Sequence, residues 1–280
     1  MDRGKKSIEA ATNLEPAGTK DHDHGDKKAE NAPRGQSSER LVLEIEKLSL
    51  SFEENEVLKE FNLTLAEGEN LAVIGKSGSG KSVLIKCIVG LIKPDSGKIA
   101  VFGKDILELE RDALDELRVK IGFMFQSDAL YDSMTIRENL QFPLRRRCKE
   151  MEEEEMDELV EETLDSVGLK KTIDMMPSEL SGGMKKRIAL ARTLVLKPDI
   201  ILYDEPTSGL DPITTKEISD LIVEVQGRYK SSSVIITHDL RSAKKAADRL
   251  LIIADGKNHA TGTYEELAAS DDKKVKEFFE

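Results

Sequence analysis

Gly75-Lys76-Ser77-Gly78-Ser79-Gly80-Lys81-Ser82 is the stretch on which the reading of this chain turns. It fits the spacing G-x-x-x-x-G-K-[ST] and stands between two apolar segments. Before it comes Leu71-Ala72-Val73-Ile74, a run of the buried-strand type; after it Val83, Leu84, Ile85, Ile88, Val89 and Leu91 predict a helix. Strand, glycine loop and helix in that order make a cradle for phosphate. Glycines let the backbone wrap so that its N–H groups face phosphate oxygens, and the helix start presents its positive end to the same charge. In this reading Lys81 reaches the β- and γ-phosphates of ATP, and Ser82 gives its hydroxyl to magnesium. A glycine turn that is only structural has no need of Lys and Ser at those two places.

Such a site needs a carboxylate for the metal at the end of a buried strand. Ile200-Ile201-Leu202-Tyr203-Asp204 supplies one in Asp204, and Glu205 follows where a second carboxylate can polarise the water that attacks the γ-phosphate. Beyond Ser181 the pattern predicts a helix, a strand at 199–203, a helix at 213–228, a strand at 233–237, a further helix and a strand near 250–254. That alternation implies a parallel sheet with helices on its faces.

Upstream, Leu41, Leu43 and Ile45 alternate with polar residues, and Leu58, Phe61, Leu63 and Leu65 resume a broken alternation, which predicts antiparallel strands. Pro94-Asp95-Ser96-Gly97 reads as a turn, residues 99–102 and 121–125 as strands, and 110–118 as a short helix. Thr135 and Glu138 form a capping-box pattern that opens a helix near Ile136, which Pro143 is expected to end or kink. Residues 150–162 are dense in carboxylates, but Met156, Leu159, Val160, Leu164 and Val167 keep helical spacing on one side, so the acidic run reads as a solvated face and not a metal site. Residues 1–40 are polar and nearly free of large apolar side chains, which predicts a disordered tail; His22 and His24 within it receive no role.

Composition narrows the function classes. A net charge of −12 and a pI near 5.1 argue against nucleic acid as a partner. Cys87 and Cys148 stand far apart, without metal-ligand spacing, so neither a disulfide framework nor a zinc site is expected and a cytoplasmic setting fits. No apolar run reaches the roughly 18 residues that a membrane-spanning helix requires.

Leu180-Ser181-Gly182-Gly183-Met184, between the phosphate loop and the Asp204-Glu205 strand, resembles the signature sequence of ABC ATPases. The resemblance covers about residues 41–265. Phe52 stands at the adenine-stacking position, Gln126 follows its strand, Ser208-Gly209-Leu210-Asp211 follows the Asp204 strand, and His238 follows Val234-Ile235-Ile236-Thr237. The resemblance implies an α/β fold: a RecA-like P-loop NTPase core, an antiparallel β-lobe, and a helical lobe at about 127–180 within a domain spanning 41–270, with 271–280 as a short helix or tail. It implies nucleotide contacts from Phe52 and from Gly75 through Val83. It also implies a head-to-tail dimer in which Ser181, Gly182 and Gly183 of one copy bind the γ-phosphate held by the other. By the same resemblance Gln126 contacts magnesium and water and senses the transport partner, His238 contacts the γ-phosphate, and Asp211 communicates across the dimer.

Two departures point to a subfamily. Met184 stands where most ABC ATPases have Gln, and Val83 where Thr is usual; the first is similar to the Mla and Mce-type lipid-transport ATPases. The expectation is an ATPase subunit peripheral on the cytoplasmic face of a membrane, bound to permease subunits and possibly to an Mce-type lipid-binding subunit. An importer of small polar solutes and a soluble non-transport ABC protein remain as rivals.

Overall fold

The structure, a computed structural model, describes residues 40–280. The polar tail expected up to residue 40 therefore lies, apart from Arg40, outside the described residues. Two sheets carry the chain. The first is antiparallel and built from β1 (Leu41–Phe52), β2 (Asn55–Ala66), β4 (Ser96–Val101) and β5 (Lys104–Asp105), in the order β2-β1-β4-β5. Alternation on β1 puts Leu43 and Ile45 in the core. The broken alternation on β2 has a local cause: Glu60 takes φ +45° at an irregularity in the β1–β2 register, so Phe61 opposite Leu48 and Leu58 opposite Leu50 both face inward.

The second sheet runs β10-β9-β3-β8-β7-β6. Its strands are β3 (Asn70–Ile74), β6 (Ile121–Met124), β7 (Ile200–Asp204), β8 (Ser232–Thr237), β9 (Arg249–Ala254) and β10 (Lys257–Gly262). All pair in parallel except β10, which closes the β9 edge antiparallel. Apart from Asn70 at the start of β3, every residue of β3, β7 and β8 is buried, as expected of central strands covered on both faces.

The helices are α1 (Lys81–Ile88), α2 (Arg111–Val119), α3 (Ile136–Arg147), α4 (Glu153–Ser166), α5 (Gly182–Leu194), α6 (Pro212–Tyr229), α7 (Leu240–Ala246), α8 (Tyr264–Ala268) and α9 (Lys273–Phe279). Ile136, Leu140 and Leu144 of α3, Met156, Val160 and Leu164 of α4, and Ile188 and Leu194 of α5 share one buried cluster, while Glu152 through Glu155 face solvent. The capping box at Thr135 and Glu138 is present.

Three local expectations need correction. Pro143 does not end α3, which continues to Arg147; the helix is held on both sides of the proline by buried Leu140 and Leu144. Helix α1 stops at Ile88 and leaves Leu91 58% exposed, because Gly90 at φ +67° breaks the helical path. Ser96 and Gly97, read as turn residues, begin β4. Strand β10 and helix α8 had no expectation attached to them.

Candidate active site

Parallel pairing decides where the chemistry gathers. Ile74 lies level with Thr237, Asp204 with Ile236, and Met124 with Tyr203, so β3, β8, β7 and β6 all end at the same rim of the sheet. The glycine loop, His238, Glu205 and Gln126 leave from those four ends, the usual place for a ligand in an open α/β sheet.

The loop is tight by construction. A Cβ on Gly75 would stand 2.5 Å from Ile253 Cγ2 and 2.5 Å from Ser79 Oγ. Gly80 holds φ +97° with the Val57 carbonyl oxygen 3.0 Å from where a Cβ would lie. Lys81 begins α1 and is 7% exposed; its ammonium donates to the carbonyls of Gly75 at 2.6 Å and Lys76 at 3.0 Å. Burial lowers its pKa from the ordinary lysine range, against which the charges of Glu205 and Asp204 pull upward. The ammonium is thus buried at the loop and held there by two carbonyl oxygens.

Ser82 Oγ donates to Asp204 Oδ1 at 3.0 Å, across 122 residues of sequence. Asp204 is buried at the end of β7. A hydroxyl and a carboxylate side by side at the mouth of a phosphate loop are hard oxygen donors of the kind magnesium takes together with phosphate oxygens and water. Among the described residues no cluster of three or more His, Cys, Asp or Glu side chains forms a metal cage. The residues present thus fit an ion that is shared with a phosphate ligand.

Glu205 adopts φ +48°, left-handed for a non-glycine residue, pinned by its N–H donating to Ile236 O at 2.9 Å and by its carbonyl accepting from Ser208 N at 3.1 Å. The turn swings its carboxylate out of the strand direction, to where Oε2 lies 2.8 Å from His238 Nδ1. Glu205 is 12% exposed and His238 69% exposed, so the imidazole sits over the carboxylate from the solvent side.

These groups line one cleft of about 540 Å³ bounded by Phe52, Val57, Ser77, Gly78, Gly80, Lys81, Ser82, Val83, Gln126, Glu205, Ser208 and His238. Phe52, 47% exposed, presents an aromatic face at its edge. Gln126 Nε2 lies 3.4 Å from Ser208 Oγ. Lys76 points elsewhere: its ammonium meets Glu277 Oε2 of α9 at 2.6 Å, beside a separate hollow of about 570 Å³.

Ser181, Gly182, Gly183 and Asp211 are not among the residues that line the cleft. Ser181 caps α5, its Oγ accepting from Met184 N at 3.3 Å, and both it and Gly182 are exposed. Asp211 caps α6, accepting from the amides of Ile213 and Thr214 and from the Thr214 hydroxyl, which holds its carboxyl below the usual range. Within one chain, then, Ser181 and its glycines lie outside the cleft, at an exposed helix start.

Sequence reasoning passed over Val57 and Ser208 as cleft residues, and Lys186. Ser208 is signalled by its place three residues after Glu205 in a turn. Lys186, whose ammonium lies 2.5 Å from the Gln126 carbonyl, carries no local signal.

Comparison with known proteins shows the family and the fold. The family model described as ABC transporter matches residues 58–208. The chain is 40% identical over 256 residues to the protein trigalactosyldiacylglycerol 3, chloroplastic, of Arabidopsis thaliana, covering 85% of this chain and 73% of that one. It is 37% identical over 237 residues to the intermembrane phospholipid transport system ATP-binding protein MlaF of Haemophilus influenzae, covering 85% of this chain and 89% of that one. The ATP-binding cassette MJ0796, solved as a dimer in a post-hydrolysis state bound to ADP and Pi, superposes with a TM-score of 0.72 at 31% identity over 79% of this chain and 98% of that one.

Proposed function

The chain belongs to the ABC transporter family and is an ATPase, and from that premise we propose that it energises the movement of phospholipid between membranes, as a head-to-tail dimer bound to permease subunits. The observation that carries the ATPase mechanism is the convergence of Lys81, Ser82, Gln126, Glu205 and His238 on one cleft, with Asp204 bonded to Ser82 behind it. What favours lipid as cargo is the likeness to MlaF, together with Met184 in the signature.

In this mechanism Phe52 stacks on adenine and the backbone from Gly75 to Val83, with Lys81, holds the phosphates. Ser82 and Asp204, with Gln126, would hold magnesium, which would supply positive charge to neutralise that of the phosphates. Glu205 accepts hydrogen-bonding from the attacking water and takes its proton, and His238 orients Glu205 and contacts the γ-phosphate. The second copy supplies Ser181, Gly182 and Gly183 to the same γ-phosphate, since within one chain these lie outside the cleft. Asp211 and the Gln126 loop pass closure of the dimer to the permease. No helix among the described residues is long and apolar enough to cross a membrane. In this reading the permease, in a complex that includes an Mce-type lipid-binding subunit, holds the ATPase at the cytoplasmic membrane face. Taking an acyl chain out of a bilayer costs about 0.8 kcal/mol per CH₂ group exposed to water, so a long-chain lipid needs a shielded path, to which ATP hydrolysis can be coupled.

The test is to purify the chain with its membrane partners from native membranes, identify bound small molecules, and measure ATP hydrolysis with and without phospholipid. Phospholipid in the complex and lipid-stimulated hydrolysis are expected. A complex stimulated by a polar solute and its binding protein, and indifferent to lipid, would replace this cargo with a small solute.

A further inference from the structure

Lys186 lies on α5, the helix that Ser181 caps, and its side chain is 5% exposed. Its ammonium reaches the Gln126 carbonyl oxygen at 2.5 Å and Asp128 Oδ1 at 2.8 Å. From the same helix Arg192 donates to the carbonyls of Asp128, at 3.3 Å, and of Ala129. The segment these two cations grip is unusual: Asp128 and Ala129 hold φ of +58° and +51°, consecutive left-handed residues without a glycine. Such a backbone persists only where its surroundings over-determine it. Here the surroundings are an ammonium and a guanidinium from one rigid helix.

We propose that Lys186 is a positioning residue for hydrolysis: it fixes the backbone of Gln126 so that the amide side chain enters the cleft. The proposal rests on the reading of Gln126 as a contact to magnesium and the attacking water. An ammonium suits the task because from a buried position it donates to the Gln126 carbonyl and stands as counter-charge to the Asp128 carboxylate, whereas a neutral apolar side chain leaves the carbonyl without its donor and the carboxylate without its counter-charge. Displacement of Gln126 by about 1 Å suffices to lower turnover by up to about a hundredfold. Nucleotide affinity rests on other residues, the phosphate loop and Phe52, so it is spared.

The experiment is a double-mutant cycle on the full chain with Lys186→Met and Gln126→Ala, reading turnover, the magnesium concentration for half-maximal turnover, affinity for a fluorescent ADP analogue, and Tm. Lys186→Met is expected to lower kcat about tenfold or more, to raise the magnesium requirement, and to leave ADP affinity within about twofold. In the Gln126→Ala background the same substitution should lower kcat no further. Losses that multiply would show that Lys186 acts independently of Gln126 and overturn the proposal, as would a Lys186→Met chain that loses ADP affinity, turnover and Tm in step. A Gln126→Ala chain with wild-type turnover would instead remove the assigned role of Gln126, and the proposal with it.

Discussion

Glu205 Oε2 and His238 Nδ1 lie 2.8 Å apart at the ends of adjacent parallel strands, the carboxylate nearly buried and the imidazole exposed above it. A carboxylate takes a proton only if it is ionised and correctly aimed, and in the proposed mechanism His238 sets that aim. Glu205→Gln is therefore expected to keep nucleotide affinity and to lose turnover by about a hundredfold or more, leaving an ATP-bound dimer that sizing with ATP and magnesium detects. His238→Ala should lower kcat more than it raises KM. A Glu205→Gln chain that hydrolyses at the wild-type rate would exclude Glu205 as the base.

In the proposed mechanism Lys81 meets the charge of the phosphates before any bond breaks. Lys81→Ala is expected to weaken binding of a fluorescent ATP analogue at least about tenfold, since it removes a charge-assisted contact, which is worth about 1.5–3 kcal/mol. Unchanged affinity would place the phosphates elsewhere.

The exposed, capped start of α5 is not part of the cleft of its own chain. Cysteines introduced at Ser181 and Ser79, in a chain with Cys87 and Cys148 replaced, are expected to crosslink between chains and only with ATP present. Bands confined to single chains on a denaturing gel would rule out the head-to-tail arrangement.

Helix α9 contributes Val275, 1% exposed, to a core cluster with Ala72, Ile74, Leu250 and Ile252, and its Phe279 ring meets Tyr264 at 5.3 Å. Deleting residues 271–280 should destabilise the fold by about 2 kcal/mol or more, the value of burying such side chains. The Lys76–Glu277 pair is exposed on both sides, so Glu277→Ala alone should shift Tm little. Equal losses from the two changes would assign the stability to the ion pair.

Cys87 is buried in α1 and its thiol is pushed up to about 11 by burial. Between its ordinary value of 9.0 and about 11 the unfolded chain gives up a proton that the folded chain keeps, so this group makes stability fall as pH rises through that window. Denaturant midpoints of wild type and Cys87→Ala should converge in slope below that window and diverge within it. At pH 8 a thiol reagent should label half-buried Cys148 and reach Cys87 only on unfolding.

The sequence by itself determined the phosphate loop, the Asp204-Glu205 strand end and the order of helices and strands, because each depends on residues within a few positions of one another. A loop that wraps phosphate needs its glycines and its Lys-Ser pair at fixed spacing, and a central strand needs an unbroken apolar run. The same locality has a limit at Pro143: the residue alone predicts an end or a kink, whereas in the fold buried Leu140 and Leu144 flank it and α3 runs on to Arg147. Strand β10 has one buried-side neighbour and little apolar pattern, so nothing in its residues announced it. Only the tertiary structure decided that Ser82 meets Asp204 and that His238 covers Glu205, since those meetings follow from parallel register between strands far apart in the chain. It alone placed Lys186 under the Gln126 loop. A lysine on an amphipathic helix reads as solvated until another segment folds over it, and burial is a property of the whole packing, not of the residue.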